Sequence, residues 1–180
     1  SLRMARDEGT KRDTIAAMER LNIYGVASGE PDMVRHWTAA APKRIIPAIA
    51  YRLPGTSGSG HVGARSIDDL RSLYAQGELN VIGEIMAQYE GVSPDDPRLE
   101  PLWALAEELD VPVAIHMGPG EPGQPYAKGG YRVSLGDPLL LEPVLIRHPK
   151  LRLSVMHAGY PMAENMRALL FSYPQVYVDI

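Results

Sequence analysis

Hydrophobic positions along the chain fall into six short apolar runs, each separated from the next by a stretch of helical period. The runs are residues 22–27 (NIYGVA), 45–51 (IIPAIAY), 81–85 (VIGEI), 111–116 (VPVAIH), 151–157 (LRLSVMH) and 176–180 (VYVDI). Each is short and apolar on successive positions, the pattern of a strand covered on both faces. Their starts lie 23 to 40 residues apart, the size of one βα unit. Proline marks most of the intervening helices, because the first helical position needs no N–H. Pro31, Pro101 and Pro161 each open an amphipathic stretch, and Asp137 caps one that starts at Pro138. After Pro101, Leu102, Ala106 and Leu109 share a face. Two further helices are expected over residues 11–20 and 66–76. Pro143 falls inside its helix and is expected to kink it.

Strict helix–strand alternation predicts an α/β fold with a parallel sheet. The chain opens on a helix and ends in an apolar strand, which requires covering. The expectation is therefore a partial (β/α)8 TIM barrel, strands two to seven of eight, with residues 1–180 as a single incomplete domain. A full barrel takes about 250 residues.

Composition narrows the chemistry. The 180 residues are 45% hydrophobic and 22% charged, with a formal net charge of −4 and 7% aromatics. That is ordinary globular composition, without the basic footprint or stacking aromatics of a nucleic-acid binder. Cysteine is absent, which removes disulfides, thiolate metal sites and thiol nucleophiles. No apolar run reaches the roughly 18 residues of a membrane span, and the polar N-terminus is not a signal peptide. A cytoplasmic location and a small-molecule substrate are expected, with no nucleic-acid or membrane partner. A homo-oligomer stays open.

Glu84, His116 and His157 sit at or near the carboxyl ends of three consecutive predicted strands. Burying such groups is costly unless they are paired or bind a metal. Alternation puts Ile82 with Glu84, Ala114 with His116, and Val155 with His157 on one face each. If those faces point into the barrel, the three side chains converge where such barrels build their active sites. Imidazole and carboxylate donors suit a divalent metal: zinc first, with manganese or iron(II) as alternatives. The Gly/Pro-rich segment 117–136 follows His116 and is expected to overhang the site. Within it, Arg132 and Tyr131 are candidates to meet an anionic or aromatic substrate; Gln88 and Tyr89, four and five residues after Glu84, are similar candidates. The GxGxxG at 58–63 stands away from its strand, so it reads as a loop over the barrel mouth. His61 within it reads as solvated, and His36 and His148 as structural. No Gly-x-Ser-x-Gly elbow is present, so a serine nucleophile has no support.

The segment VIGEIMAQYEGVSPDDPRLEPLWALAEELDVPVAIHMGPG, followed by HPKLRLSVMHAGYP and YPQVYVDI, resembles the amidohydrolase-related (amidohydrolase 2) branch of the metal-dependent hydrolase superfamily. The resemblance runs from about residue 11 to the end. It implies a distorted (β/α)8 barrel whose ligands are a His-x-His pair on strand one, a His on strand five, often a His on strand six, and an Asp on strand eight. Some subgroups add a Lys or Glu on strand four. It places Glu84 on strand four, His116 on strand five and His157 on strand six. The 180 residues hold no His-x-His and no eighth strand. Asp179 falls on the seventh strand and reads as a strand-end polar residue.

The resemblance implies a hydrolase of a small-molecule ester, lactone or amide acting through a metal-activated water. His116 would be a ligand. His157 would be a second ligand, or a catalytic residue that orients water or polarises substrate. The rival within the resemblance is a non-oxidative decarboxylase of an aromatic or enol acid, with Arg132 as anion clamp. A non-catalytic half-barrel interaction protein is the third reading. With the ligand pair and the Asp missing, the chain alone is expected to be a poor catalyst.

Overall fold

The computed structural model describes residues 7–56, 63–127 and 129–179. Helices α1 (Glu8–Arg20), α2 (Pro31–Ala40), α3 (Ile67–Ala75), α4 (Glu100–Glu108), α5 (Glu142–Arg147) and α6 (Ala163–Ser172) alternate with strands. The strands are β1 (Gly25–Gly29), β2 (Ile45–Tyr51), β3 (Val81–Ile85), β4 (Val113–His116), β5 (Leu153–Met156) and β6 (Val176–Val178). All neighbours pair in parallel, in the order β1-β2-β3-β4-β5-β6. Sequential order with no reversal is the wall of a (β/α)8 barrel; a doubly wound sheet would reverse at a switch point.

One face of this wall packs on the helices. Ile49, Ile82, Val113, Ile115, Leu153 and Val155 are each no more than 1% exposed, in one cluster with Leu70, Leu102, Trp103, Val144 and Leu169. Fully burying a side chain of this size stabilises by about 1.5–3 kcal/mol. The opposite face, with Val26, Ala48, Ala114, Ser154, Met156 and Tyr177, lines a cleft of about 720 Å³. No helix among the described residues is long and apolar enough to cross a membrane.

Three strands, β1, β4 and β5, start later than their apolar runs, and in the first two the opening residues of the run close the preceding helix. Asn22 adopts φ 53°, Ile23 N–H donates to the Met18 carbonyl at 2.8 Å, and Asn22 N–H to Glu19. This is a Schellman motif with Asn at the left-handed position. Asp110 (φ 51°) does the same for α4, with Val111 N–H on the Ala106 carbonyl at 2.9 Å. The first strand is therefore 25–29 rather than 22–27, and the fourth starts at Val113 rather than residue 111.

Two proline expectations are corrected. Pro143 does not kink a helix from within. A 3-10 turn (Pro138–Leu141) precedes α5, and Pro143 sits in the first turn of α5, where its missing N–H leaves no bond unmade. Pro161 does not open α6, which begins at Ala163; its peptide with Tyr160 is cis. His61 and most of the GxGxxG lie outside the described residues.

Candidate metal centre

Glu84, His116 and His157 come together on the cleft side of the carboxyl ends of β3, β4 and β5. Each offers one ligand atom, all within 4.8 Å of one another. The expected convergence is present, but alternation accounts for only one of the three.

His116 is the regular case. It closes β4 in the phase of Ala114 and is 8% exposed. Its Nδ1 lies 3.0 Å from Glu84 Oε1, and its Nε2 faces the Tyr89 hydroxyl at 3.5 Å. The Tyr89 ring meets the imidazole edge-on at 5.1 Å.

Glu84 reaches the cleft through a bulge. Ile82 pairs with Val113 but Ile85 with Ile115, so β3 carries one extra residue against β4. Both Ile82 and Ile85 are buried on the helix side. Strict alternation would have left Glu84 there with Ile82; the extra residue turns it inward. Gly83 makes this possible, at φ 145° and with a cis peptide to Glu84. A Cβ on Gly83 would stand 2.6 Å from the Ala114 carbonyl oxygen. Ser28 of β1 holds the bulge across the small Ala48, its register partner on β2. Its Oγ accepts the Glu84 N–H at 2.8 Å and donates to the Gly83 carbonyl. Ser28 lies just past the run expected for the first strand, and no sequence signal marks it.

His157 arrives by a left-handed turn. Val155 is buried on the helix side, so a continuing strand would have sent His157 into the core. Instead β5 ends at Met156, and His157 and Ala158 adopt φ 59° and 48°. The ring returns to the cleft, 4.7 Å from the His116 ring, with Nε2 3.8 Å from Glu84 Oε1. Its side chain is 54% exposed. Asp179, one residue past β6, accepts the His157 N–H.

A four-coordinate ion with bonds near 2.1 Å sets its ligand atoms roughly 3.4 Å apart. The separations of 3.0 and 3.8 Å from Glu84 Oε1 to the two imidazoles bracket that spacing. One carboxylate and two imidazoles also suit zinc, manganese or iron(II) chemically, so the residues fit a divalent ion.

A protein-family model described as Amidohydrolase matches residues 5–180. The chain belongs to the amidohydrolase family. No curated protein matches it. Among solved structures, an uncharacterized TIM-barrel protein from Bordetella bronchiseptica superposes with TM-score 0.64 at 19% identity, over 87% of this chain and 53% of that one. An amidohydrolase from Mycobacterium avium subsp. paratuberculosis gives 0.55 at 16% identity, over 93% and 57%. A dihydroorotase from Campylobacter jejuni gives 0.52 at 14%, over 84% and 41%. At these identities the likeness is one of fold. The chain spans about half the length of the structures it matches.

The other sequence candidates of this amidohydrolase chain are placed as follows. Tyr89 joins the cluster; burial chiefly, then Tyr131 and Glu84, push its hydroxyl pKa above the usual tyrosine value. Tyr131 and Gln88, the substrate candidates of the sequence, are 1% and 2% exposed and brace the long loop. The Tyr131 hydroxyl accepts the Gly120 N–H, and its ring packs on Tyr89 at 5.2 Å. Gln88 Nε2 donates to the Gly118 carbonyl at 2.7 Å. Arg132 is exposed, its Nη1 donating to the Tyr131 carbonyl at 2.7 Å. His36 bonds Glu8 and Lys11 between α1 and α2, and His148 bonds two glutamates of α4, as structural histidines do.

Proposed function

We propose that this chain carries part of a metal-dependent active site that hydrolyses a small-molecule ester, lactone or amide. The observation that carries the reading is the convergence of one carboxylate and two imidazoles within 4.8 Å at the carboxyl ends of consecutive parallel strands. Membership of the amidohydrolase family supports enzymatic chemistry at that position.

A divalent ion held there, zinc first and manganese or iron(II) next, supplies Lewis acidity and lowers the pKa of water toward neutrality. The chain's own residues do the rest. His116 is buried, with Glu84 at Nδ1 and the Tyr89 hydroxyl 3.5 Å from Nε2. One of these nitrogens would pass from its partner to the ion while the other keeps the ring in place, as for a histidine ligand held by an outer partner. Glu84 contributes an oxygen to the ion, or accepts the Nδ1–H of His116 and so selects its tautomer. His157, half exposed at the cleft, is placed to bind or to hold a proton beside substrate. Tyr89 presents a hydroxyl whose pKa burial raises above the usual tyrosine value.

Hydrolysis stands ahead of decarboxylation because of where the cations are. Arg132 is exposed and donates from Nη1 to the Tyr131 carbonyl, and Arg152, which lines the cleft, bonds Asp110 at 2.8 Å at the amino ends of the strands. Neither clamps a carboxylate at the three-residue cluster.

Metal analysis beside turnover tests the reading in the complete protein. His116→Ala should abolish activity and weaken metal retention. In a two-metal site His157→Ala loses about one ion per chain and nearly all activity. In a one-metal site it keeps the ion and loses about 10²- to 10⁴-fold in rate. A wild-type protein without stoichiometric divalent metal would reject the proposal.

A further inference from the structure

We propose that Asp179 is a positioning residue for His157, acting as an uncharged-equivalent hydrogen-bond acceptor rather than through its negative charge. Its consequence for metal rests on the reading above; its geometry does not.

The backbone at the end of β5 is held in an uncommon state. His157 and Ala158 are consecutive left-handed residues, neither of them glycine. Each such residue costs about 1–2 kcal/mol, so the turn persists only where its surroundings over-determine it. The ladder to β6 runs through Val155↔Val178, and Asp179 N–H extends it onto the Val155 carbonyl at 3.3 Å. Asp179 is thereby anchored by its own main chain. Its Oδ1 then accepts the His157 N–H, where the regular ladder stops. On the other side of the turn, Tyr160 N–H donates to the His157 carbonyl at 2.9 Å. The amide and carbonyl of His157 are both tied, and the ring is left facing His116 and Glu84 rather than the core beside Val155. Asp179 is not one of the three converging ligand residues; it touches the main chain of one of them.

The test uses histidine-labelled protein without metal. Ring-proton NMR should show the His157–His116 contact that a 4.7 Å centroid separation implies. Asp179→Asn keeps an oxygen acceptor and should keep the contact. Asp179→Ala should lose it while circular dichroism stays native. Zinc titration should then weaken about 10- to 100-fold in Asp179→Ala, as loss of an outer partner does, and stay unchanged in Asp179→Asn. Persistence of the ring contact in folded Asp179→Ala would overturn the proposal. Loss of it in Asp179→Asn would do so too, by showing that charge is required. Should the Ala variant not fold, Asp179→Val, which also removes the acceptor but keeps strand propensity, is read in its place: loss of the contact supports the proposal and persistence overturns it. A wild-type protein that shows the ring contact but takes up no zinc rejects the metal reading and leaves the positioning role standing.

Discussion

Gly83 and Ser28 show how much of the site hangs on residues with no chemistry of their own. Gly83 combines a φ of 145° with an approach that would put a Cβ 2.6 Å from a backbone oxygen of β4. Gly83→Ala must therefore open the bulge or push β4 away. Strain of this kind costs about 1–3 kcal/mol, and each kcal/mol is about 2–4 °C in Tm for a chain of this size. Thermal unfolding should show that drop together with weaker zinc binding. An unchanged Tm would mean that the bulge is not fixed by Gly83. Ser28→Ala should act on the same peptide, leaving the Gly83 carbonyl and Glu84 N–H without their partner at about 1–3 kcal/mol. Glu84 and His116 were legible as strand-end polar residues. Ser28 was not, because its partner lies on the next strand but one and no local pattern announces such a contact.

At the scale of elements, the strands stop and start where helix caps and side-chain clasps allow. His148, just past α5, is 6% exposed and sits between Glu100 and Glu107 of α4 at 2.9 and 3.0 Å. Arg147 first, and His148 with it, hold the Glu100 carboxyl below the usual glutamate range. Burial pulls Glu107 upward, but the Lys150 N–H and His148 outweigh it, and its pKa also falls below that range. A carboxyl with a lowered folded pKa contributes stability that is complete above its unfolded value, about 4.3 for glutamate. That contribution drains away as pH falls through the lowered values. Tm should therefore decline as pH falls below the unfolded glutamate value of about 4.3, and Glu107→Gln should flatten part of the decline. An identical acid profile in the variant would remove this clasp from the account. The expectation that His148 is structural is met in the fold, where two carboxylates of α4 hold it.

Across the whole molecule, one apolar cluster joins β2 through β6 to α2 through α6, and the site sits on the other face of the same strands. Stability and chemistry are thus separable by face. Ile115 lies at the centre of the cluster, 1% exposed and one residue before His116. Ile115→Ala should cost about 2–5 kcal/mol, read as a fall in Tm. Below that Tm the His116–His157 ring contact should survive, because the backbone hydrogen bonds of β4 remain. Loss of the ring contact in the folded variant would show that core packing, not the strand ladder, sets His116.

The sequence by itself determined the alternation of six helices with six strands, the parallel sheet and the three polar residues at its carboxyl ends. Those follow from hydrophobic period, proline and strand-end polarity, which are properties of a few neighbouring residues. The direction of each side chain was another matter. Simple alternation holds for His116. It fails for Glu84, which a bulge turns inward, and for His157, which a left-handed turn carries out of phase. Both departures are held by bonds from strands distant in sequence, Ser28 to the 83–84 peptide and Asp179 to the His157 amide. Only the tertiary structure decided them, because a period-two pattern has no term for an inserted residue or for an acceptor that arrives from another strand.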